Sequence, residues 1–290
     1  MRHSLISIDL NVFNTKKSLR EHLQKARGLH KTIGFVPTLG ALHAGHISLI
    51  NLARAQNDVV VCSIFVNPSQ FNDPKDLEKY PRTIEADSAM LEQAGCDILF
   101  NPEVNEIYDG NEHWHFDIGP VEFLLEGKFR PGHYQGVTQV VYKLFNIVAP
   151  DTAYFGQKDY QQFLIINKMV DKLTIGVKLV MCPIMRETDG LAMSSRNIHL
   201  TADDRRHALI LSKTLNQIKD NFDVSRIEQL QTEAEKMINA EPGVELDYFE
   251  IADGETLQPP NERAKSIVAL VAAKVGKTRL IDNVILVDSQ

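Results

Sequence analysis

One stretch, Asp58-Val59-Val60-Val61-Cys62-Ser63-Ile64-Phe65-Val66, constrains the fold more than any other part of the chain. It is almost unbroken in apolar and β-branched residues and lacks the period-two alternation of a strand with one wet face, so it predicts a strand buried on both sides. A strand of that kind needs helices above and below it, and the flanking segments supply them. Ala44–Gln56 puts Ile47, Ile50 and Ala53 on one helical face, and Thr83 is placed to cap a further helix that ends at Gly95. Thr15–Arg27 reads as a helix ended by Gly28 at its C′ position. Thr32–Pro37 reads as a short strand stopped by Pro37, and Asp97–Phe100 as another strand. The alternation predicts an α/β fold with a parallel sheet covered by helices.

Past a polar loop at 67–82 and an irregular region at 101–134, the alternation resumes. Val137–Val148 and Tyr160–Leu173 read as helices, Thr152–Gly156 and Val177–Cys182 as strands. A boundary falls near Pro183–Asp189. Beyond it two helices, Asp203–Asn221 and Ser225–Ala240, precede three strands, Glu245–Ile251, Lys265–Lys274 and Thr278–Leu286, the last two joined as a hairpin around Gly276. Helices and strands no longer alternate there, so the expected division is a domain over 1–185 and a smaller α+β domain over 186–290.

Composition excludes several function classes. The 290 residues carry 31 Lys and Arg against 38 Asp and Glu, a net charge of −7, which argues against gripping nucleic acid by wholesale phosphate neutralisation. Cys62, Cys96 and Cys182 are odd in number and far apart, without zinc spacing, which suits a reducing compartment. The start, Met1-Arg2-His3-Ser4-Leu5-Ile6-Ser7-Ile8-Asp9, has no apolar core of a leader, and no stretch approaches the length of a membrane span. The expectation is a cytoplasmic protein without membrane or nucleic-acid partners.

The segment between the first strand and its helix is the most informative: Pro37-Thr38-Leu39-Gly40-Ala41-Leu42-His43-Ala44-Gly45-His46. A strand-to-helix turn at the carboxyl edge of a parallel sheet binds ligands because free backbone N–H groups and the helix dipole point there. His43 and His46 are three residues apart at the helix start, so both rings can meet a phosphate. The plainer alternative is that both histidines cap the helix or pack. At the same edge, Phe65-Val66-Asn67-Pro68-Ser69-Gln70-Phe71 follows the buried strand, and the amides of Asn67 and Gln70 are suited to reading a hydroxyl and a carboxylate together.

Three further segments carry polar chemistry. Phe129-Arg130-Pro131-Gly132-His133 combines a cation with an imidazole. Gly156-Gln157-Lys158-Asp159 leads into a helix on which Gln162 faces back, with Lys158 where a cation would meet phosphate oxygens. Met193-Ser194-Ser195-Arg196 offers two hydroxyls and a planar fork to a phosphate. Two motifs are discounted. Gly276-Lys277-Thr278 ends like a P-loop, but Val271 stands where its first glycine is required; His113-Trp114-His115 has no third metal ligand nearby in sequence, and no protein metal site is assigned.

Taken together, H-A-G-H at 43–46 and M-S-S-R at 193–196 resemble the paired nucleotide motifs of the adenylyl-transferring nucleotidyltransferase superfamily. More narrowly, P-T-L-G-A-L-H-A-G-H, F-V-N-P-S-Q-F, Y-P-R-T at 80–83, F-R-P-G-H at 129–133, F-G-Q-K-D-Y-Q-Q and D-G-L-A-M-S-S-R-N resemble the pantothenate synthetase family in order and spacing. The likeness is strong from about residue 30 to 200 and looser beyond.

That resemblance implies a Rossmann-like N-terminal domain and a C-terminal lid, a homodimer, and ATP-dependent joining of D-pantoate to β-alanine through a pantoyl adenylate, with Mg²⁺ accompanying ATP. It implies that Leu39, Gly40, Ala41, Leu42, His43, Ala44, Gly45 and His46 line the ATP site, His46 serving as proton donor and phosphate contact. Gly156, Gln157, Lys158 and Asp159, with Met193, Ser194, Ser195 and Arg196, complete the nucleotide site, and Met185 backs the adenine. Gln70 touches both small substrates and Gln162 pantoate, with Thr38, Asn67, Arg130 and His133 placed on the same side. His43, His46, Lys158, Ser194, Ser195 and Arg196 are the residues assigned to catalysis. Asp87 and Asp159 are both candidate neighbours of Mg²⁺ through water. Leu39 departs from the family's usual Met, a swap of similar volume. The competing reading is a nucleotidylyltransferase of the same superfamily whose product keeps the nucleotide.

Overall fold

The computed structural model describes residues 9–110, 112–262 and 264–288; the segment 1–8, which the expectation of no leader concerns, lies outside the described residues. The chain separates into two compact units. One takes in the described residues up to Gly156 together with Gln162–Cys182, the other Gln157–Gln161 and the described residues from Pro183 onward.

The first unit is built on six parallel strands, β1 (Asn11–Phe13), β2 (Ile33–Thr38), β3 (Val59–Ile64), β4 (Ile98–Phe100), β5 (Thr152–Gly156) and β6 (Lys178–Cys182), in the order β1-β4-β3-β2-β5-β6. From β2 the chain builds outward to β3 and β4, then returns to place β5 on the other side of β2. This reversal between β2 and β5 makes the switch point at which such sheets open a crevice beyond their carboxyl ends. Every residue of β3 is buried, as its β-branched run predicts.

The helices are α1 (Lys16–Gly28), α2 (Ala44–Gln56), α3 (Pro74–Lys79), α4 (Ile84–Gln93), α5 (Val104–Ile107), α6 (Glu126–Phe129), α7 (His133–Val148) and α8 (Tyr160–Lys172). On one face of the sheet Ile50 and Ala53 of α2 and Leu91 of α4 pack with Val36, Val60, Cys62, Leu99 and Tyr154 into a buried core.

Local details differ from the sequence reading. Gly28 is the last helical residue of α1, and the left-handed position that ends it belongs to His30, at φ 56°. Pro37 does not stop β2: it sits in register with Ser63, and Thr38 continues the strand. It lies past the last β2–β5 pair, Phe35 with Ala153, so its missing N–H interrupts no ladder on that side. The loop at 67–82 contains a 3₁₀ turn, Pro68–Gln70, and α3. The three residues of the edge strand β1 carry no periodic signal, and local pattern does not predict it.

The second unit carries α9 (Ala202–Asp220), α10 (Ile227–Asn239) and an antiparallel sheet β7 (Val244–Asp253), β8 (Ser266–Val275), β9 (Thr278–Asp288) in that spatial order. Helix α9 packs on β8 and β9 and α10 on β7, burying Leu211, Leu215, Leu230, Ile238, Phe249 and Val271 in one core. Gly276, at φ 56°, makes the β8–β9 turn, so Gly276-Lys277-Thr278 belongs to a hairpin.

Candidate active site

In the first unit, the site begins where β2 ends. The Thr38 hydroxyl donates to Ser63 O at 2.8 Å and accepts the Gly40 N–H at 3.2 Å, tying the start of the loop to the end of β3. Gly40 takes φ 84°, and a Cβ there would lie 3.0 Å from Ile64 and 3.2 Å from Asp87. Ala41 follows with φ 49°, an uncommon region for a residue with a Cβ. A buried carboxylate holds this strained turn: Asp87 accepts the N–H of Ala41 at 2.9 Å and of Leu42 at 2.8 Å, and the Thr83 hydroxyl at 3.2 Å. Asp87 thereby spends three acceptor positions on these donors, which favours Asp159 over it as the neighbour of Mg²⁺; sequence reasoning missed its anchoring role because the turn it holds lies far away in the chain.

The histidine pair does what the plainer alternative says and leaves room for the other. His43 is the N-cap of α2, its Nδ1 accepting the Gly45 N–H at 3.2 Å, while His46 Nδ1 accepts the His43 N–H at 3.3 Å. The rings lie 4.1 Å apart. A ring whose Nδ1 accepts a backbone N–H carries its proton on Nε2, so this capping box fixes both tautomers and makes each Nε2 a donor.

The Asn67–Gln70 segment is held as a unit. Gly136 of α7 carries no Cβ, and one built there would stand 2.3 Å from Ser69 O and 2.7 Å from Gln70 N. That close approach lets the Pro68–Gln70 turn lie on α7. Buried Asn67 donates to Gln70 Oε1 at 3.1 Å and to Gly136 O at 3.1 Å, and accepts from Tyr108 at 2.7 Å and Ser69 at 3.1 Å. Both donors and both lone pairs of its amide are used, so Asn67 does not reach a ligand as expected; it orients Gln70, whose Nε2 becomes the end of the amide able to donate outward. Burial pushes the Tyr108 phenol up to about 12, so it stays a neutral donor to Asn67. His133 Nδ1 pairs with Gln70 O at 2.8 Å, and Asn72 bonds Pro131 O, which fastens the Arg130-to-His133 loop to the Gln70 loop. Gln162, half-buried, stands in the first turn of α8.

In the second unit, Gln157–Asp159 form one 3₁₀ turn, with Lys158 Nζ 3.8 Å from Asp159 Oδ1. Met193 N donates to Met185 O at 3.0 Å, bringing those two residues side by side. Ser194 caps the following 3₁₀ turn, its Oγ accepting the Arg196 N–H at 3.3 Å, and Ser195 and Arg196 are half-buried on that turn. Glu187 braces the segment by accepting from Asn197 at 2.8 Å and Arg205 at 2.7 Å. The Arg205 guanidinium holds the Glu187 carboxyl below its usual value, reinforced by Asn197 against a smaller opposing effect of burial. Among the described residues no group of three His, Cys, Asp or Glu could hold a metal ion.

Known proteins are similar to this chain in sequence and fold. Residues 11–285 match the family model described as pantoate-beta-alanine ligase. A pantothenate synthetase of Porphyromonas gingivalis is 47% identical over 277 residues, covering 95% of this chain and 99% of that protein. One of Phocaeicola vulgatus is 48% identical over 278 residues, with 95% and 99% covered. Among solved structures, a pantothenate synthetase from Thermus thermophilus aligns with a TM-score of 0.88 at 40% identity, over 96% of this chain and 99% of that one. A pantoate-beta-alanine ligase from Francisella tularensis, complexed with beta-gamma ATP and beta-alanine, aligns with a TM-score of 0.79 at 37% identity, over 96% and 98%.

Proposed function

The chain belongs to the pantoate-beta-alanine ligase family, and from that membership we propose that it joins D-pantoate to β-alanine through an enzyme-bound pantoyl adenylate, releasing pyrophosphate and then AMP. The chemistry needs the adenylate because a carboxylate is a poor acyl donor. A pantoate oxygen attacks the α-phosphorus of ATP, the bond to pyrophosphate breaks, and the resulting mixed anhydride has AMP as a good leaving group. The β-alanine amine then attacks the acyl carbon, expels AMP and loses a proton.

The observation that carries this reading is the reciprocal capping of His43 and His46, which puts the ring proton of each on Nε2 at the carboxyl end of β2. Negative charge grows on phosphate oxygens as pyrophosphate departs, and fixed donors aimed there stabilise the transition state more than the ground state. Lys158, Ser194, Ser195 and Arg196 are assigned to the same charge, and Leu39–Gly45, Gly156–Asp159, Met185 and Met193 to the rest of the nucleotide. Gln70, oriented by Asn67, reads both small substrates, with Gln162, Thr38, Arg130 and His133 on the pantoate side. Mg²⁺ enters with ATP as its chelate, a mode that asks for one or two carboxylates at most; Asp159 is the carboxylate assigned to it.

In this reading residues 1–185 bind ATP and pantoate, 186–290 form the lid domain that carries Met193–Arg196, and the working form is a cytoplasmic homodimer. No helix among the described residues is long and apolar enough to cross a membrane.

The test mixes the protein with MgATP and D-pantoate, with and without β-alanine, and follows products by mass spectrometry. One equivalent of pyrophosphate and a bound pantoyl adenylate are expected without the amine, and AMP with pantothenate only when it is added. A product that retains the nucleotide after β-alanine is added, or ADP in place of AMP, would contradict the proposal.

A further inference from the structure

The Lys158 turn is held from β9. A single amide, that of Asn283, donates through Nδ2 to Gln157 O at 2.9 Å and to Lys158 O at 3.0 Å, and accepts from Gln157 Nε2 at 3.1 Å through Oδ1. Asn283 is 2% exposed and 126 residues from Gln157 in the chain. It is fixed in turn: Asp282 Oδ1 accepts the Asn283 N–H at 2.8 Å, and the Asp282 carboxylate takes both terminal nitrogens of Arg186, at 2.7 and 3.0 Å. A 3₁₀ turn of three residues has poor hydrogen-bond geometry and little stability of its own. Without an external restraint, the backbone under Lys158 would be free to wander, and a long flexible side chain multiplies any such error at its tip.

We propose that Asn283 is a positioning residue for the first chemical step: it fixes the backbone of Gln157 and Lys158 so that the Lys158 ammonium is preorganised for the departing phosphate. The inference rests on the reading that Lys158 contacts the nucleotide's phosphates. A role of this kind lies in kcat of adenylation rather than in the affinity for the amine.

The experiment is a double-mutant cycle on the full chain, reading pyrophosphate release with MgATP and pantoate, and KM for β-alanine in the full reaction. Asn283→Ala is expected to lower the adenylation rate about tenfold and leave KM for β-alanine within about twofold. Lys158→Ala alone should lower the rate about a hundredfold, and adding Asn283→Ala to it should cost no more than about another twofold, because one residue acts through the other. A cavity of about 560 Å³, lined in part by Gln157, Arg186, Asn216, Lys219 and Asn283, adjoins this network. Water can therefore hydrate the two carbonyls left by truncation, and the fold is expected to survive. Asn283→Ser, which keeps one donor at shorter reach, serves as the second variant and should fall between the wild type and Asn283→Ala. Equal losses from Asn283→Ala in both backgrounds, or an unchanged rate in folded Asn283→Ala and Asn283→Ser, would overturn the inference while leaving the role of Lys158 intact. A wild-type rate in Lys158→Ala would instead remove Lys158 from the phosphates and take the inference with it.

Discussion

Asp87 Oδ1 accepts the Leu42 backbone N–H at 2.8 Å, although the two residues are 45 positions apart in the chain. With Oδ2 on Ala41, this buried carboxylate keeps the turn through Gly40 and Ala41 in a conformation that the local sequence would abandon. Asp87→Ala strands two backbone donors in a buried place. A loss of about 1–3 kcal/mol in unfolding free energy is expected, with adenylation falling about tenfold because the His43 cap rides on the same turn. Denaturant unfolding and pyrophosphate release measure the two; an unaltered midpoint in Asp87→Ala would show that the turn holds itself.

In the proposed reaction His46 has two separable functions, one on each ring nitrogen. His46→Ala removes both and should lower adenylation by about 10²–10³ and stability by about 1 kcal/mol. Asn in its place sets an acceptor near the old Nδ1 and should restore the stability while leaving the rate low. Gln carries a donor toward the old Nε2 and should recover part of the rate. If Asn recovers the rate as well as Gln does, the Nε2 donor is not what matters.

Gly136→Ala drives a Cβ into the Ser69 carbonyl and the Gln70 nitrogen, at 2.3 and 2.7 Å. The Pro68–Gln70 turn must lift off α7, at about 1–3 kcal/mol of stability by the usual scale of overpacking. The KM for pantoate should rise severalfold and that for ATP barely move, since the proposed reading assigns Gln70 to the two small substrates. Equal weakening of ATP in steady-state kinetics would place Gln70 wrongly.

Glu187 gives a pH dependence of known sign. Its carboxyl lies below its ordinary 4.5, chiefly through the hydrogen bond from Arg205. The native state therefore holds fewer protons than the unfolded chain in the window just below 4.5, so the stabilisation is full above that pH and is lost as pH falls through the lowered value. Wild type should exceed Glu187→Gln in stability at neutral pH, with the gap closing in acid as the brace on the Ser195 turn is protonated. A gap that stays constant from about pH 7 to about pH 3 in urea titrations would contradict this.

Cys62, Cys96 and Cys182 are buried, and burial pushes their thiols up, Cys96 to about 12 and Cys182 to about 11. Thiolate is the reactive form, so native protein at about pH 8 should resist iodoacetamide and label only as it unfolds. Labelling of any of the three within minutes under native conditions, followed by mass spectrometry, would show an opening absent from this structure.

Much of this was legible from local pattern. The β-branched run at 59–64 could only be a strand with helices on both faces, the period of Ala44–Gln56 could only be a helix, and the glycines and histidines between β2 and α2 had to lie at the carboxyl edge of the sheet. Periodicity and turn chemistry act over a few residues, so a sequence displays them directly. The partners that make those segments work are not local. Asp87 under Leu42, Tyr108 and Gly136 around Asn67, and Asn283 under Lys158 meet because strand order and helix packing bring distant residues within about 3 Å, where a hydrogen bond's geometry selects them. Pro37 shows the same division from the other side: its ring reads locally as a stop, yet β2 continues because the sheet asks for no N–H at that position.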